Sequence, residues 1–284
     1  MWTDDNRARY DRSKLHYPSD LTGEEWLLVK PLIPPARRGG RKREVDIREV
    51  VNGVMYVLST GCQWQYLPKD LPPKSTVHDY FTHWDCDGTL RKLHDALYAK
   101  CREQAGREPC PTAGVIDSQS VKSTDLGRKR RTKGGACIDP HGYDAGKKIK
   151  GKKRHILVDM IGLLLGAVVH PANIQDRDGG VLVLAALFDR YPLLRKLFAD
   201  AGYQGPKFRN GARKARRRLK VEIVKRSDPG FKVLPKRWVV ERTLAWLGRC
   251  RRLAKDFECL TQNALAFLRW ASVRLMLRKL CNPA

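Results

Sequence analysis

Three acidic residues, far apart in the chain, stand where carboxylates could act together. Asp117 closes the apolar run "GVID", Asp200 closes "KLFAD", and Glu241 falls early in the helical pattern "RWVVERTLAWLGRCRRL". Both aspartates read as following a strand, and in open α/β sheets ligands gather at strand ends. On a helical wheel Glu241 shares a stripe with Trp238, Ala245 and Gly248, the last two removing bulk beside it. Converging carboxylates repel, and one would stay protonated unless a cation joined them. Oxygen-only ligands suit Mg²⁺ or Mn²⁺. Three acids, two such ions and a basic surround make a site for cutting phosphodiesters: one ion activates the attacking hydroxyl or water, the other stabilises the leaving oxygen. Other acids compete for the role. Asp159 ends "HILVD", while Asp176 and Asp178 open a helix and read as capping or loop-fixing residues.

The basic surround is visible in the charge. The 284 residues hold 56 Lys/Arg against 30 Asp/Glu, a formal net charge of +26. Residues 1–110 carry 18 basic and 16 acidic residues, whereas residues 111–284 carry 38 and 14. Such asymmetry points to a polyanion, and nucleic acid above all. "KFRNGARKARRR" places Arg213, Arg216, Arg217 and Arg218 in a tract without a single acid. Like charges at i and i+4 destabilise a free helix, so a phosphate partner explains their tolerance. A second tract, residues 125–154, reads as a basic loop with almost no aliphatic content, and Arg130, Arg131, Lys147 and Lys148 are its expected DNA contacts. Trp238 and Trp246 read as core.

These residues need elements to hold them. Beyond the Gly/Pro punctuation "AGREPCPTAG", the order is strand, strand, strand, helix, strand, basic helix, strand, helix, helix: a mixed α/β sheet with helical cover. "RHILVDMIGLLLGAVVH" gives two strands joined at Gly162. Residues 21–104 read as helices. "DIREVVNGVMYVLST" sets Ile47, Val50, Val51, Val54, Met55 and Leu58 on one face. Ser75 reads as the cap of a helix with Val77, Tyr80, Phe81 and Trp84 inward and Thr76, His78, Thr82 and His83 outward. Short successive helices with a polar outer face fit a helix-turn-helix-like DNA reader, with Thr76, His78 and Thr82 toward the bases, and equally fit a small helical bundle. The expected domains are 17–108, helical, and 111–284, catalytic.

"GVIDSQSVKS", "LFADAGYQG" and "RWVVERTLAWLGRCRRL", in that order, resemble DDE transposases of bacterial insertion sequences, specifically the large "IS five" family. The resemblance covers roughly residues 17 to 279. It implies a ribonuclease H-like core in which Asp117, Asp200 and Glu241 bind two Mg²⁺ or Mn²⁺ ions. The family signature around the glutamate runs Tyr, two residues, Arg, three residues, Glu, six residues, Lys. Arg237 and Glu241 match it; Leu234 and Gly248 stand at the Tyr and Lys places, with Arg249 one step on. Arg237 and Arg249 are therefore added to the expected DNA contacts.

The resulting expectation is a transposase that binds the terminal inverted repeats of its element, cleaves, and transfers the exposed 3′ hydroxyl to target DNA. Holding two ends together calls for a homodimer or larger assembly. The rivals are a nuclease of the same fold without strand transfer and a non-catalytic basic nucleic-acid-binding protein. No run of 18 apolar residues and no signal-like N-terminus occur, so a cytoplasmic, nucleoid-associated bacterial protein without a membrane partner is expected. The eight cysteines form no CxxC pair and read as reduced thiols; Cys137 and His141 alone do not make a zinc site.

Overall fold

A computed structural model describes residues 3–4, 7, 10–36, 39, 43–124, 138–187, 190–224 and 236–282. The chain divides into two compact units: Met1–Arg107 with Cys250–Leu253 and Ala266–Ala284, and Glu108–Arg249 with Ala254–Leu265. The first division falls between Arg107 and Glu108, and the last helix groups mainly with the first unit.

The first unit is helical. Helix α1 (Gly23–Val29) starts on a reciprocal capping box between Thr22 and Glu25, and α2 (Ile47–Thr60) starts on Asp46, whose carboxylate accepts the Arg48 N–H. Val50, Val51, Val54, Met55 and Leu58 are buried along α2, as the periodicity predicts. Helix α3 (Lys74–Cys86) buries Val77, Phe81 and Trp84, and α4 (Thr89–Gln104) buries Leu90, Leu93, Leu97 and Cys101. Two details of α3 differ from expectation. Its N-cap is Pro73 without a side-chain cap, so Ser75 lies inside the helix. Thr76, His78 and Thr82 are half-buried rather than outward; the Trp64 ring, from the turn Trp64–Tyr66, meets His78 edge-on at 5.1 Å, and Thr82 Oγ1 donates to the His78 carbonyl at 3.0 Å. The exposed positions are Lys74, Ser75, Asp79, His83 and Cys86. The C-terminal helix, which follows below, completes this core: Phe267 packs 4.5 Å from Phe81, Trp270 6.0 Å from Trp84, and Ser272 Oγ lies 3.1 Å from His94 Nε2.

The second unit is a mixed sheet. Its strands are β1 (Ala113–Lys122), β2 (Gly142–Asp144), β3 (Ile149–Asp159), β4 (Leu164–Pro171), β5 (Lys196–Ala199) and β6 (Lys220–Ile223). β1 lies between β3, antiparallel, and β5, parallel; β6 extends the sheet parallel to β5, and β2 and β4 both pair antiparallel with β3. Helices α5 (Asp176–Ala186), α6 (Pro206–Ala215) and α7 (Arg237–Gly248) complete the unit, and the chain ends in α8 (Thr261–Cys281). Val115, Ile116, Ile156, Leu157, Val158, Leu197 and Phe198 form the sheet's core.

Here too the structure corrects the sequence reading. β1 runs five residues past Asp117, so this acid sits within a strand rather than at its end. The stretch expected as a basic loop up to residue 154 contains β2 and the first half of β3, since "KIKGKKR" runs into "HILVD" with no breaking residue after Gly151. Lys152, Lys153 and Arg154 are buried. Lys152 Nζ lies 3.4 Å from Asp256 and donates to the Glu258 carbonyl at 2.8 Å, while Arg154 donates to the Lys255 carbonyl. Buried charges need such partners. These cations face the protein and not a solvent-borne polyanion. Arg130, Arg131 and Leu234 lie outside the described residues, as does Cys137.

Candidate active site

The three acids reach one place from three elements. Val115 pairs with Phe198 in the parallel β1–β5 register, and carrying that register forward two residues sets Asp117 beside Asp200. Helix α7 brings Glu241, and it is seated through its buried face of Val239, Val240, Thr243 and Leu247. Thr243 Oγ1 donates to the Gly162 carbonyl at 2.9 Å. Gly162 turns β3 into β4 at φ 87, and a Cβ there would stand 2.9 Å from Thr243 Oγ1. A glycine is required both by its left-handed backbone and by the closeness of α7.

At the meeting point stands Arg237. One guanidinium nitrogen, Nη2, lies 3.9 Å from Asp117 Oδ2, 3.7 Å from Asp200 Oδ2 and 3.3 Å from Glu241 Oε1. Each aspartate spends its other oxygen on the backbone: Asp117 Oδ1 accepts the Ser118 N–H at 2.7 Å, and Asp200 Oδ1 accepts the Gly202 N–H at 2.8 Å. The backbone therefore aims one free oxygen of each at the same cation. Burial pushes the Asp117 carboxyl up to about 6, and the Asp200 charge adds to it; the Ser118 N–H, Arg237 and Lys147 pull the other way. Exposure is graded, from 14% for the Asp117 side chain through 27% for Asp200 to 56% for Glu241. The site opens to solvent on the glutamate side.

Whether these residues suit divalent ions is answered by the donor set. All three candidate ligands are hard carboxylate oxygens, and the arrangement already gathers them about a positive charge, with the guanidinium as stand-in. Among the described residues no three His, Cys, Asp or Glu side chains lie close enough to one another to hold a metal. The acids surround Arg237 at ion-pair spacing, wider than magnesium coordination, which needs ~2.0–2.1 Å. The residue types fit the ions, and Arg237 stands within ion-pair distance of all three acids.

The other candidates fall as follows. Asp159 is fully buried and its Oδ1 accepts the N–H groups of Ile161 and Leu163, closing the β3–β4 turn. Asp176 begins α5 next to its N-cap Gln175, and Asp178 pairs with Lys207 at 2.8 Å. Lys147 is exposed on the β2–β3 turn, and its Nζ donates to the Ser118 carbonyl at 3.2 Å, next to Asp117; Lys148 is exposed beside it. On α6, Phe208, Ala212 and Ala215 are buried while Lys207, Arg209, Arg213 and Lys214 are exposed, as are Arg217 and Arg218 just beyond. Arg216 is half-buried and donates to the Leu187 carbonyl. Arg249 is exposed at the end of α7. Trp238 and Trp246, expected in the core, are 41% and 38% exposed and sandwich Arg242, whose guanidinium carbon lies 4.3 and 4.6 Å from their ring centres. Ala245 and Gly248 are exposed, and Gly248 has nothing within 4 Å of its Cβ position, so neither makes room for a neighbour.

Sequence reasoning missed the polar cluster behind the acids. Lys153, Asp144, Asp176, Ser118, His155 and Tyr203 interlock beneath the site. The signal for it was the unbroken run from "KKR" into "HILVD", which makes those cations part of a strand.

Residues 108–276, more than half of the chain, match the family described as Transposase DDE domain. The chain belongs to that family. Residues 21–94, within the helical unit, match a second description, Putative transposase of IS4/5 family. Two relatives come from Burkholderia cepacia. The chain is 30% identical over 115 residues to "Insertion element IS402 uncharacterized 16.2 kDa protein", covering 38% of this chain and 77% of that one. It is 36% identical over 131 residues to "Putative transposase for insertion sequence element IS402", covering 42% of this chain and 59% of that one. The transposase thus spans under two thirds of the second relative. No solved structure matches it. Transposases act on DNA, and the DDE family works with divalent metal ions. Among the described residues, no helix is long and apolar enough to cross a membrane.

Proposed function

We propose that this transposase binds the terminal inverted repeats of its element and catalyses metal-dependent strand cleavage and strand transfer at Asp117, Asp200 and Glu241. The observation that carries this reading is the convergence of the three acids, from β1, the end of β5 and α7, on the single guanidinium of Arg237. The order β4-β3-β1-β5-β6 supports a ribonuclease H-like core, with Asp117 on β1 and Asp200 just past the end of the neighbouring β5.

Asp117, Asp200 and Glu241 would hold Mg²⁺ or Mn²⁺, which when bound supply activation of the attacking hydroxyl or water and stabilisation of the leaving oxygen. The chain's own residues do the rest. The Ser118 and Gly202 N–H groups fix the two aspartates so that one oxygen of each points into the site. Arg237 compensates the acids in the resting protein and, once released, is placed to contact the phosphate next to the scissile bond. Lys147 adds positive charge on the Asp117 side. The exposed arginines of α6 and its C-terminal turn bind backbone phosphates and supply affinity without sequence information. Base recognition is assigned to α3, in the nearly neutral stretch of residues 1–110. Hydrolysis and transfer share one site because both are in-line displacements at phosphorus that differ in the nucleophile.

The test uses the full chain, Mg²⁺ and a duplex carrying the element's own end. Nicking at the end, followed by joining of a pre-cut 3′-hydroxyl end to a plasmid, is the expected result. Nicking without joining would make the protein a nuclease, and binding without either would make it a DNA-binding protein only.

A further inference from the structure

Asp176 begins α5 and lies outside the acid triad, yet it touches the structures that hold two of the three acids. Its Oδ1 accepts the Ser118 hydroxyl at 2.9 Å, one residue after Asp117, and the Lys153 ammonium at 3.0 Å. Its Oδ2 faces the turn that follows Asp200: a Cβ built on Gly202 would stand 3.2 Å from Asp176 Oδ2 and 3.0 Å from Asp200 Oδ1. Lys153 is 6% exposed and is held further by Asp144 at 3.2 Å and the Ile174 carbonyl at 3.1 Å. Asp144 in turn accepts the Ser120 hydroxyl at 2.5 Å, on the same strand as Asp117. Tyr203, from the turn after Asp200, shares a 3.0 Å hydrogen bond with His155, which pairs across the sheet with Ser118.

From this geometry we infer that Asp176 is a positioning residue for the DDE site, clamping β1 to the Asp200 turn and so fixing the separation of Asp117 and Asp200. The two strands carry direct pairing over only three residues, 113–115 with 196–198, and that ladder stops before the acids. Asp176 and its partners supply the missing tie. Carboxylates that hold metal ligands in place tune affinity without touching the metal. The inference rests on the three-acid reading above.

The test compares Asp176→Asn, Gly202→Ala and Asp200→Asn with wild type, and uses Asp178→Asn, whose partner is the exposed Lys207, as the control. Cleavage is measured across a Mg²⁺ series, DNA affinity in the absence of metal, and the Mn²⁺-induced rise in melting temperature without DNA. Asp176→Asn should raise the Mg²⁺ concentration for half-maximal cleavage by roughly 10–100-fold, the range for outer residues of metal sites. Its Mn²⁺ melting rise should shrink while DNA affinity stays at wild type. Gly202→Ala should move the same readouts in the same direction. If Asp176→Asn does not fold, Lys153→Met is added to it, removing the buried cation it strands; that pair should fold and keep the raised metal requirement. A wild-type metal requirement and melting rise in Asp176→Asn, or in the pair, overturns the clamp, provided Asp200→Asn is inactive. Full cleavage by Asp200→Asn would overturn the three-acid reading and the clamp with it.

Discussion

At the residue scale, charge rather than shape governs the triad. Asp200→Asn and Glu241→Gln are nearly isosteric but each removes one anion from the group around Arg237. Cleavage should fall by orders of magnitude in both, while binding of end DNA persists. The sign of a change at Arg237 differs. Arg237→Gln removes the internal cation, so Asp117, already pushed up to about 6, loses a charge that favours its ionised form. The metal-free protein should lose stability above pH 6, and added Mg²⁺ should restore more of it than in wild type, because metal then supplies the compensation alone. Thermal melting with and without Mg²⁺ checks this.

The two histidines behind the site give a pH dependence of their own. Burial holds His155 down at about 3, with the nearby His170 acting the same way, and burial likewise lowers His170. In the unfolded chain both bind a proton near 6.5, and in the fold they resist it. Stability from these groups is therefore present above about pH 6.5 and is lost as pH falls toward 3. Denaturant midpoints measured between pH 7 and 5 should decline in wild type and decline less in His155→Gln.

Among the elements, α7 is the one whose placement the site most needs. Its seat is the Thr243 hydroxyl on the β3–β4 turn. Thr243→Val keeps the volume and removes that donor, at a cost of about 1 kcal/mol. Gly162→Ala imposes a side chain on a left-handed residue, itself costing ~1–2 kcal/mol, and pushes on Thr243. Both variants should lower cleavage through displaced Glu241 while leaving the aspartates in place, which a shallower melting transition and reduced activity would report together.

The elements also mark where the sequence was legible. Strands β4 and β5 and helix α2 follow from apolar period and punctuation alone, as does the existence of α7 though not its buried face. Asp200 was readable because its strand ends at a small-residue turn. The first half of β3 was not, because its cations are matched by Asp144, Asp176 and Asp256, which lie 9 to 104 residues away in the chain. Composition cannot tell a solvated lysine from one facing a distant aspartate. The same limit hid Trp238 and Trp246, whose stack on Arg242 keeps large rings at the surface.

Over the whole molecule, DNA affinity should be strongly salt-dependent, weakening between ~50 and ~200 mM salt as phosphate contacts release counterions. Replacing Arg213, Arg217 and Arg218 by Gln should flatten the slope of log affinity against log salt by up to about three units. Arg216→Gln, already engaged with the Leu187 carbonyl, should change it less. An unchanged slope in the triple variant would move the α6 face off the DNA.

The C-terminal helix has a consequence in time. A ribosome releases the first unit's α2, α3 and α4 long before it makes Phe267, Trp270 and Ser272, which complete their core. Until those residues emerge, Phe81, Trp84 and His94 lack these particular contacts from α8. The unit assigned to recognising DNA ends is therefore finished only after the acids of the second unit have been synthesised. A nascent or truncated chain ending before residue 261 should bind ends poorly however well its sheet folds. Order of synthesis thus makes α8 a condition for engaging the element.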